Sequence, residues 1–287
     1  MSKQAVKISF EFFPPKTPEA AADLWPRVQR LAQVQPEFMT VTYGAGGLNG
    51  EGTQLTVDAA EKLKSLINAP TGAHMTCMAT PKGILMQMAD QLWARGIRHI
   101  VALRGDRPRD PALRHLPDDQ YFTYSHELIS ALKARHDFEI SVGTYPEKHP
   151  ESPSLEADIS YLKKKCDAGA HRAITQFFFE NDHFFRYRDQ ARAAGVPIEI
   201  VPGVLPIMDY DHMLRFANRC QAVVPEWLKA RLEPLKGDHH AFIDAATDIL
   251  ADQCEALARQ GAGHIHFYSL NQDEMPYKAC QRLGLVP

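Results

Sequence analysis

Short apolar runs of strand length alternate with amphipathic runs of helical spacing along the whole chain. The strand candidates are Ile8–Phe13, Phe38–Tyr43, Gly72–Met78, His99–Leu103, Glu139–Tyr145, Ala173–Phe179, Glu199–Val204 and His264–Leu270. Helical spacing predicts Glu19–Ala32, Gln54–Ile67, Pro81–Arg95, Ser125–Ala134, Ser154–Ala168, Asn181–Ala194 and Asp209–Ala217 between them. Thr17-Pro18, Thr80-Pro81 and Ser152-Pro153-Ser154 are start signals, and Gly96, Gly169 and Gly195 are stop signals just before strands. Eight strand–helix units in 287 residues is the arithmetic of an α/β protein of the (β/α)8 TIM barrel kind. Extra helices, Val224–Leu235 and Ala241–Gln260, are expected before the eighth strand. An open doubly wound sheet would carry GxGxxG after its first strand. Pro14-Pro15 stands there instead, and no GxGxxG occurs anywhere. Without a repeat, linker or low-complexity tract, one domain spanning 1–287 is expected.

Charge and cysteines narrow the function classes. A formal net charge of -3 gives no global field for nucleic acid or an anionic membrane. No apolar run is long enough to span a bilayer, and the first residues lack the apolar core of a signal peptide. The five cysteines are scattered without a CxxC, as expected of free thiols in a cytoplasmic protein.

In a barrel, reactive side chains sit at the C-terminal strand ends. The first strand delivers Glu11, flanked by Phe10, Phe12 and Phe13 and stopped by Pro14-Pro15. Burial there would raise its pKa toward neutrality, as a general acid requires; an outward-facing, ion-paired Glu11 is the other reading of the strand alone. Later strands bring Thr42, His74, Thr76, Arg104-Gly105-Asp106, Tyr145, His149, Gln176, His266, Tyr268 and Asn271 toward the same end. Part of this set is expected merely to satisfy hydrogen bonds between barrel layers. His264-Ile265-His266 places two imidazoles on one strand face. Without a carboxylate cluster, they read as satisfied core histidines rather than a metal site. The loop Gly44–Gly52 reads as a flexible segment at the catalytic end, able to approach a phosphate or close as a lid. Trp25, Trp93 and Trp227 read as helix packing.

With these residues assembled, the chain resembles methylenetetrahydrofolate reductases of the bacterial single-domain kind. The resemblance runs from Ile8 to Leu285. It is carried by Ser9-Phe10-Glu11-Phe12-Phe13-Pro14-Pro15-Lys16, Val41-Thr42-Tyr43-Gly44-Ala45, Arg98 through Asp106, Tyr145-Pro146-Glu147, Arg172 through Phe179 and Pro202-Gly203-Val204-Leu205-Pro206. It implies a barrel that binds FAD without a Rossmann motif. NADH or NADPH reduces the flavin, which passes hydride to 5,10-methylenetetrahydrofolate to give 5-methyltetrahydrofolate. By resemblance Glu11 is the general acid that opens the folate ring, and Asp106 is the carboxylate beside flavin and folate. Thr42, His74, Arg104, Gly105, Asp106, Tyr124, Tyr145, His149, Asp158 and Lys165 fall on flavin contacts, Lys165 toward phosphate. Gln176, Tyr210 and Gln272 fall on substrate contacts. A homo-oligomer and a place in one-carbon metabolism are also implied, in methionine biosynthesis or in recovering one-carbon units from methyl groups.

Four departures stand out. The Gly44–Gly52 loop lacks the family's Arg-Thr pair, and Tyr161 replaces an Asn at a flavin contact. Tyr210 replaces a stacking Phe, and Gln272 replaces an Arg that helps hold folate. The first two predict weaker FAD binding, the last two a changed folate pose. Two alternatives stay open: folate reduction by direct transfer from nicotinamide with weak or no flavin, and a non-catalytic folate-binding barrel.

Overall fold

A computed structural model of the chain describes residues 6–43, 51–106 and 119–286. Of the predicted Gly44–Gly52 loop, residues 44–50 lie outside the described residues, and Glu51 opens a helix. Strands and helices alternate as β1 (Lys7–Phe12), α1 (Pro18–Ala32), β2 (Phe38–Val41), α2 (Glu51–Leu66), β3 (Thr71–Thr76), α3 (Lys82–Ala94), β4 (His99–Leu103) and α4 (Ser125–Arg135). They continue as β5 (Glu139–Thr144), α5 (Leu155–Asp167), β6 (Arg172–Thr175), α6 (Asn181–Ala193), β7 (Glu199–Val201), β8 (Gly203–Val204) and α7 (Tyr210–Cys220). α8 (Glu226–Leu232), a 3-10 turn (Glu233–Leu235), α9 (His239–Arg259), β9 (His264–Tyr268) and α10 (Glu274–Arg282) follow.

All strand pairings are parallel, in the order β7-β6-β5-β4-β3-β2-β1-β9-β8. The two ends of that order, β7 and β8, are one stretch of chain separated only by Pro202, so the sheet closes into a barrel. The predicted strand Glu199–Val204 is therefore interrupted. Pro202 has no N–H for the ladder, yet its carbonyl accepts from His266 N at 2.9 Å. Val201 pairs back to Ile174 and Gly203 forward to His266. Gly203 is required by space: a Cβ there would lie 2.3 Å from the Thr175 carbonyl oxygen and 2.5 Å from the Tyr268 ring. α8 and α9 are the expected extra helices before the last strand. α10 was not among the predicted elements, because Pro276 and polar neighbours blur its period.

Strand alternation separates two environments. On β1, Ile8, Phe10 and Phe12 point outward into the main apolar core between strands and helices, while Ser9 and Glu11 point into the barrel. Phe10 stacks on Phe267 of β9 with ring centroids 5.4 Å apart. The barrel interior is unusually polar. Its apolar part is Phe38, Ile174 and Val201 with Tyr268 against them. Around these lie buried Ser9, Thr40, His74, His99, Ser141, His264 and His266. Helix entries follow the sequence: Thr17, Ser154, Asp209 and Asp238 accept backbone N–H groups at their N-caps. Thr80 does not cap α3. It is buried 3.5 Å from the Tyr43 hydroxyl instead. Trp25 and Trp93 pack as expected, whereas Trp227 is 46% exposed.

Candidate active site

At the C-terminal ends of the strands the barrel opens into a cavity of about 720 Å³. Its floor is Glu11. The first strand ends just beyond, where Pro14-Pro15 breaks the ladder and Asn271 ties the exit down. Asn271 accepts from Phe13 N at 2.7 Å and donates to Phe13 O at 3.1 Å. The Glu11 side chain is only 14% exposed, so the inward reading of the strand holds. Its Oε2 lies 3.4 Å from His266 Nε2 and 3.5 Å from His74 Nε2. His74 Nε2 also lies 3.1 Å from Thr40 Oγ1.

The electrostatics of Glu11 correct the sequence expectation. Burial does push its pKa up, but His74 and the hydrogen-bonding His266 pull it down further, so the group is held below its usual range. Phe10 and Phe12 turn outward into the core, and it is imidazoles that face the carboxylate. Burial drives His74 the other way, down to about 4. At neutral pH the floor is thus a carboxylate beside a neutral His74.

The other expected residues gather on the walls. Thr42, His74, Arg104, Gly105 and Asp106 line one side, Tyr145, His149 and Gln176 the other. Gly105 adopts φ +85, which turns the chain sharply after β4 and delivers Arg104 and Asp106 to the rim. Arg104 Nη1 pairs with Glu151 at 2.8 Å. Asp106 is exposed and ion-paired with Arg219, from the last turn of α7. Burial pushes the Tyr145 hydroxyl up to about 12, so it acts only as a neutral donor or acceptor. Deeper along α5, Asp158 accepts from His149 N at 2.6 Å. Lys165 donates to the Gly143 carbonyl at 2.7 Å, and burial lowers its pKa to about 8. No carboxylate lies within ion-pair distance of Lys165 among the described residues.

Tyr124 and Tyr161 form the outer shelf of the cavity, ring centroids 5.5 Å apart, with the Tyr161 hydroxyl 3.2 Å from His126 Nδ1. The Asn-to-Tyr departure thus replaces a small amide with an aromatic surface fixed by a histidine.

Two expected substrate contacts fall elsewhere. Tyr210 begins α7, is 4% exposed and does not line the cavity; Lys236 sits 5.1 Å over its ring. Its first-turn position points it into the helix packing, and Phe216, further along α7, faces the cavity instead. Gln272 lies outside the cavity wall, where its Oε1 accepts from Arg27 Nη1 at 3.0 Å. Sequence reasoning missed Phe216 and Arg219. A helical wheel of α7 places Tyr210, Phe216 and Arg219 in different directions, but nothing local says which one meets the barrel mouth. The predicted pair His264 and His266 is buried as expected. Among the described residues no three His, Cys, Asp or Glu side chains are grouped to hold a metal ion.

The family described as Methylenetetrahydrofolate reductase matches residues 1–284. The chain belongs to that family. It is 40% identical over 282 residues to the 5,10-methylenetetrahydrofolate reductase of Pectobacterium carotovorum subsp. carotovorum, covering 98% of this chain and 91% of that protein. It is 39% identical to the Escherichia coli (strain K12) reductase of the same name, covering 98% and 92%. Methylenetetrahydrofolate reductase 2 of Saccharomyces cerevisiae is 35% identical, and the match covers 97% of this chain and 47% of the yeast protein. Solved structures show the fold independently. Dihydropteroate synthase from Xanthomonas albilineans superposes with a TM-score of 0.53 at 12% identity, covering 100% of this chain and 96% of that one. The chain is therefore an oxidoreductase of the methylenetetrahydrofolate reductase family on a TIM barrel. No helix among the described residues is long and apolar enough to cross a membrane.

Proposed function

We propose that the protein reduces 5,10-methylenetetrahydrofolate to 5-methyltetrahydrofolate with FAD as the bound hydride carrier, NADH or NADPH as reductant and Glu11 as general acid. The observation that carries this reading is the inward Glu11 carboxylate at the floor of the barrel-mouth cavity, flanked by two imidazoles.

The donor set fits a dinucleotide. Lys165 offers an ammonium with spare donors to a diphosphate, and Asp158 acts on it by charge without forming an ion pair among the described residues. Tyr124 and Tyr161 offer ring faces, and Asp158 and His149 offer polar contacts to hydroxyls. When bound, FAD supplies a ring that accepts hydride from nicotinamide and donates it to folate.

The chain's own residues do the rest. Opening the folate ring needs a proton on its leaving nitrogen. In the ligand-free cavity Glu11 is ionised, because the two histidines favour the carboxylate. A folate seated above it excludes water and strengthens the desolvation that already pushes its pKa upward, so proton uptake accompanies binding. The cationic iminium then exposed is favoured by the Asp106 carboxylate, once that group turns from Arg219 toward the cavity. Gln176 presents an amide to the ring, its Oε1 already held by Phe177 N at 3.0 Å. Phe216 supplies the apolar face that the sequence assigned to Tyr210.

The test is spectroscopic. Purified protein titrated with FAD should show a bound-flavin spectrum that NADH bleaches and methylenetetrahydrofolate restores. Glu11→Gln should keep the bleaching and lose the restoration. A protein that stays colourless with FAD yet reduces the folate would overturn the flavin assignment. Unchanged folate turnover in Glu11→Gln would overturn the acid assignment.

A further inference from the structure

On the functional reading above, on which this inference rests, Asp106 leaves Arg219 to face the cationic iminium. That movement would strand a guanidinium at the cavity mouth. Arg219 stands in the last turn of α7, three residues beyond Phe216, so the two side chains are neighbours along the helix surface. Phe216 lines the cavity. Arg219 reaches the same rim through its ion pair with Asp106, itself a lining residue. The pair is open to water, with side chains 64% and 79% exposed. Exposed pairs of this kind contribute little to stability, so one carboxylate readily replaces another.

An incoming carboxylate is poorly served by the walls. Among the described residues, the lysine and arginine side chains that line the cavity are Arg104 and Lys165. Arg104 already holds Glu151 at 2.8 Å, and Lys165 is buried along α5 and donates to the Gly143 carbonyl. Gln272 carries no charge and lies outside the wall, accepting from Arg27. A reduced folate has unlike ends: a ring system that reacts, and a glutamate with two carboxylates. With its rings over Glu11, its glutamate leaves through the mouth, past Phe216. In the ligand-free protein the Asp106 carboxylate shows where an acidic group meets the Arg219 fork.

We infer that Arg219 is the specificity residue for the glutamate end of the folate. A tail carboxylate takes the place of Asp106 on the guanidinium, whose planar fork suits it. Asp106 is thereby released toward the cavity, where it faces the iminium. One ion pair is exchanged for another, so the guanidinium is never left unpaired. Binding of the non-reacting end thus positions a carboxylate at the reacting end.

The test pairs Arg219→Gln with removal of the glutamate from the substrate. In the FAD-loaded protein, 5,10-methylenetetrahydrofolate and its glutamate-free counterpart, 5,10-methylenetetrahydropteroate, are compared as oxidants of the NADH-reduced flavin. Wild type should have a KM about tenfold or more lower for the complete substrate. Arg219→Gln should raise that KM by about the same factor and leave the pteroate KM within about twofold, so that discrimination is lost. Arg219→Lys, which keeps the charge but not the fork, should retain part of it. Because Asp106 is already free in Arg219→Gln, kcat with the pteroate should not fall. Arg259→Gln, which removes an exposed arginine at the end of α9 just before β9, should discriminate as wild type does. An Arg219 that only complements the C-terminal end of α7 would move the melting temperature and not the discrimination. Equal wild-type KM values for the two compounds, discrimination in Arg219→Gln within about twofold of wild type, or a pteroate kcat lowered more than about twofold in that variant overturns the assignment. A wild type that bleaches but is reoxidised by neither compound overturns the functional reading instead. Calorimetric titration with tetrahydrofolate against tetrahydropteroate then tests Arg219 by itself, loss of discrimination in Arg219→Gln supporting it and retention overturning it.

Discussion

The buried His74 makes folding stability steeply pH-dependent in a window set by its own environment. Its folded pKa is near 4, depressed chiefly by burial, against an ordinary 6.5. The unfolded chain therefore takes up this proton more readily than the folded one. Above pH 6.5 neither state binds it and stability is full. As pH falls through the window down to about 4, the unfolded state gains protons alone and stability falls; below that the loss is complete. At about 1.4 kcal/mol for each pH unit, the gap from 6.5 to about 4 corresponds to about 3 kcal/mol in total, with about 2 kcal/mol gone by pH 5.

The perturbation is His74→Asn, which keeps a polar side chain beside Thr40 and Glu11 but cannot titrate. Urea unfolding of both proteins at a series of pH values from 7 to 5 gives the difference directly. His264, also lowered by burial but not shifted by His74, titrates in both proteins and cancels to first order. The stability difference between wild type and His74→Asn should shrink, or change sign, by about 2 kcal/mol over that range. A difference that stays constant with pH would show that His74 is not held neutral by burial, and the neutral imidazole placed beside the Glu11 carboxylate would fall with it.

Gly203→Ala should cost about 3 kcal/mol through overpacking against Thr175 and Tyr268, read as a lowered melting temperature; an unchanged melt would mean the closing strand has slack. Asn271→Ala removes both bonds to Phe13 and leaves a side chain at φ 59, so about 2 kcal/mol should be lost in urea unfolding. An equal stability would mean the first strand needs no tether beyond its prolines. Lys165→Met should weaken FAD binding by roughly tenfold or more while leaving unfolding of the ligand-free protein unchanged or harder. In the wild type the same affinity should fall as pH rises through about 8, where the lysine loses its proton; a flat profile would remove Lys165 from the diphosphate.

Periodicity made the barrel legible because each strand is short and capped by turn residues. Phe38–Val41 and Arg172–Thr175 are shorter than the apolar runs that announced them. The excess, Phe177 through Phe179, is core packing after the strand has ended, and composition cannot distinguish the two. The break at Pro202 was written in the sequence, but a proline within a strand is tolerated here because the strand changes partners at that residue.

The site was legible to the extent that its residues lie on strands. Side-chain alternation fixes direction there, so Glu11, His74 and Gln176 could be placed from parity and strand ends alone. Direction on the connecting helices depends on how each helix docks: Tyr210, expected at the substrate, turns into the helix packing, while Phe216 and Arg219 went unseen. Charge state failed for a related reason. The local sequence shows Glu11 among phenylalanines, but alternation turns Phe10 and Phe12 outward, and the groups that govern the carboxylate come from β3 and β9. Parity on β1 and β9 puts Ser9, Glu11, His264 and His266 on the same inward face, and the register pairs Ser9 with His266. A barrel that needed only stability could fill these positions with aliphatic side chains, as layered barrel interiors usually do. These positions instead keep hydrogen-bonding groups in contact across strands, and it is such cross-strand partners, His74 and His266, rather than the neighbours on β1, that hold the Glu11 carboxyl below its usual range.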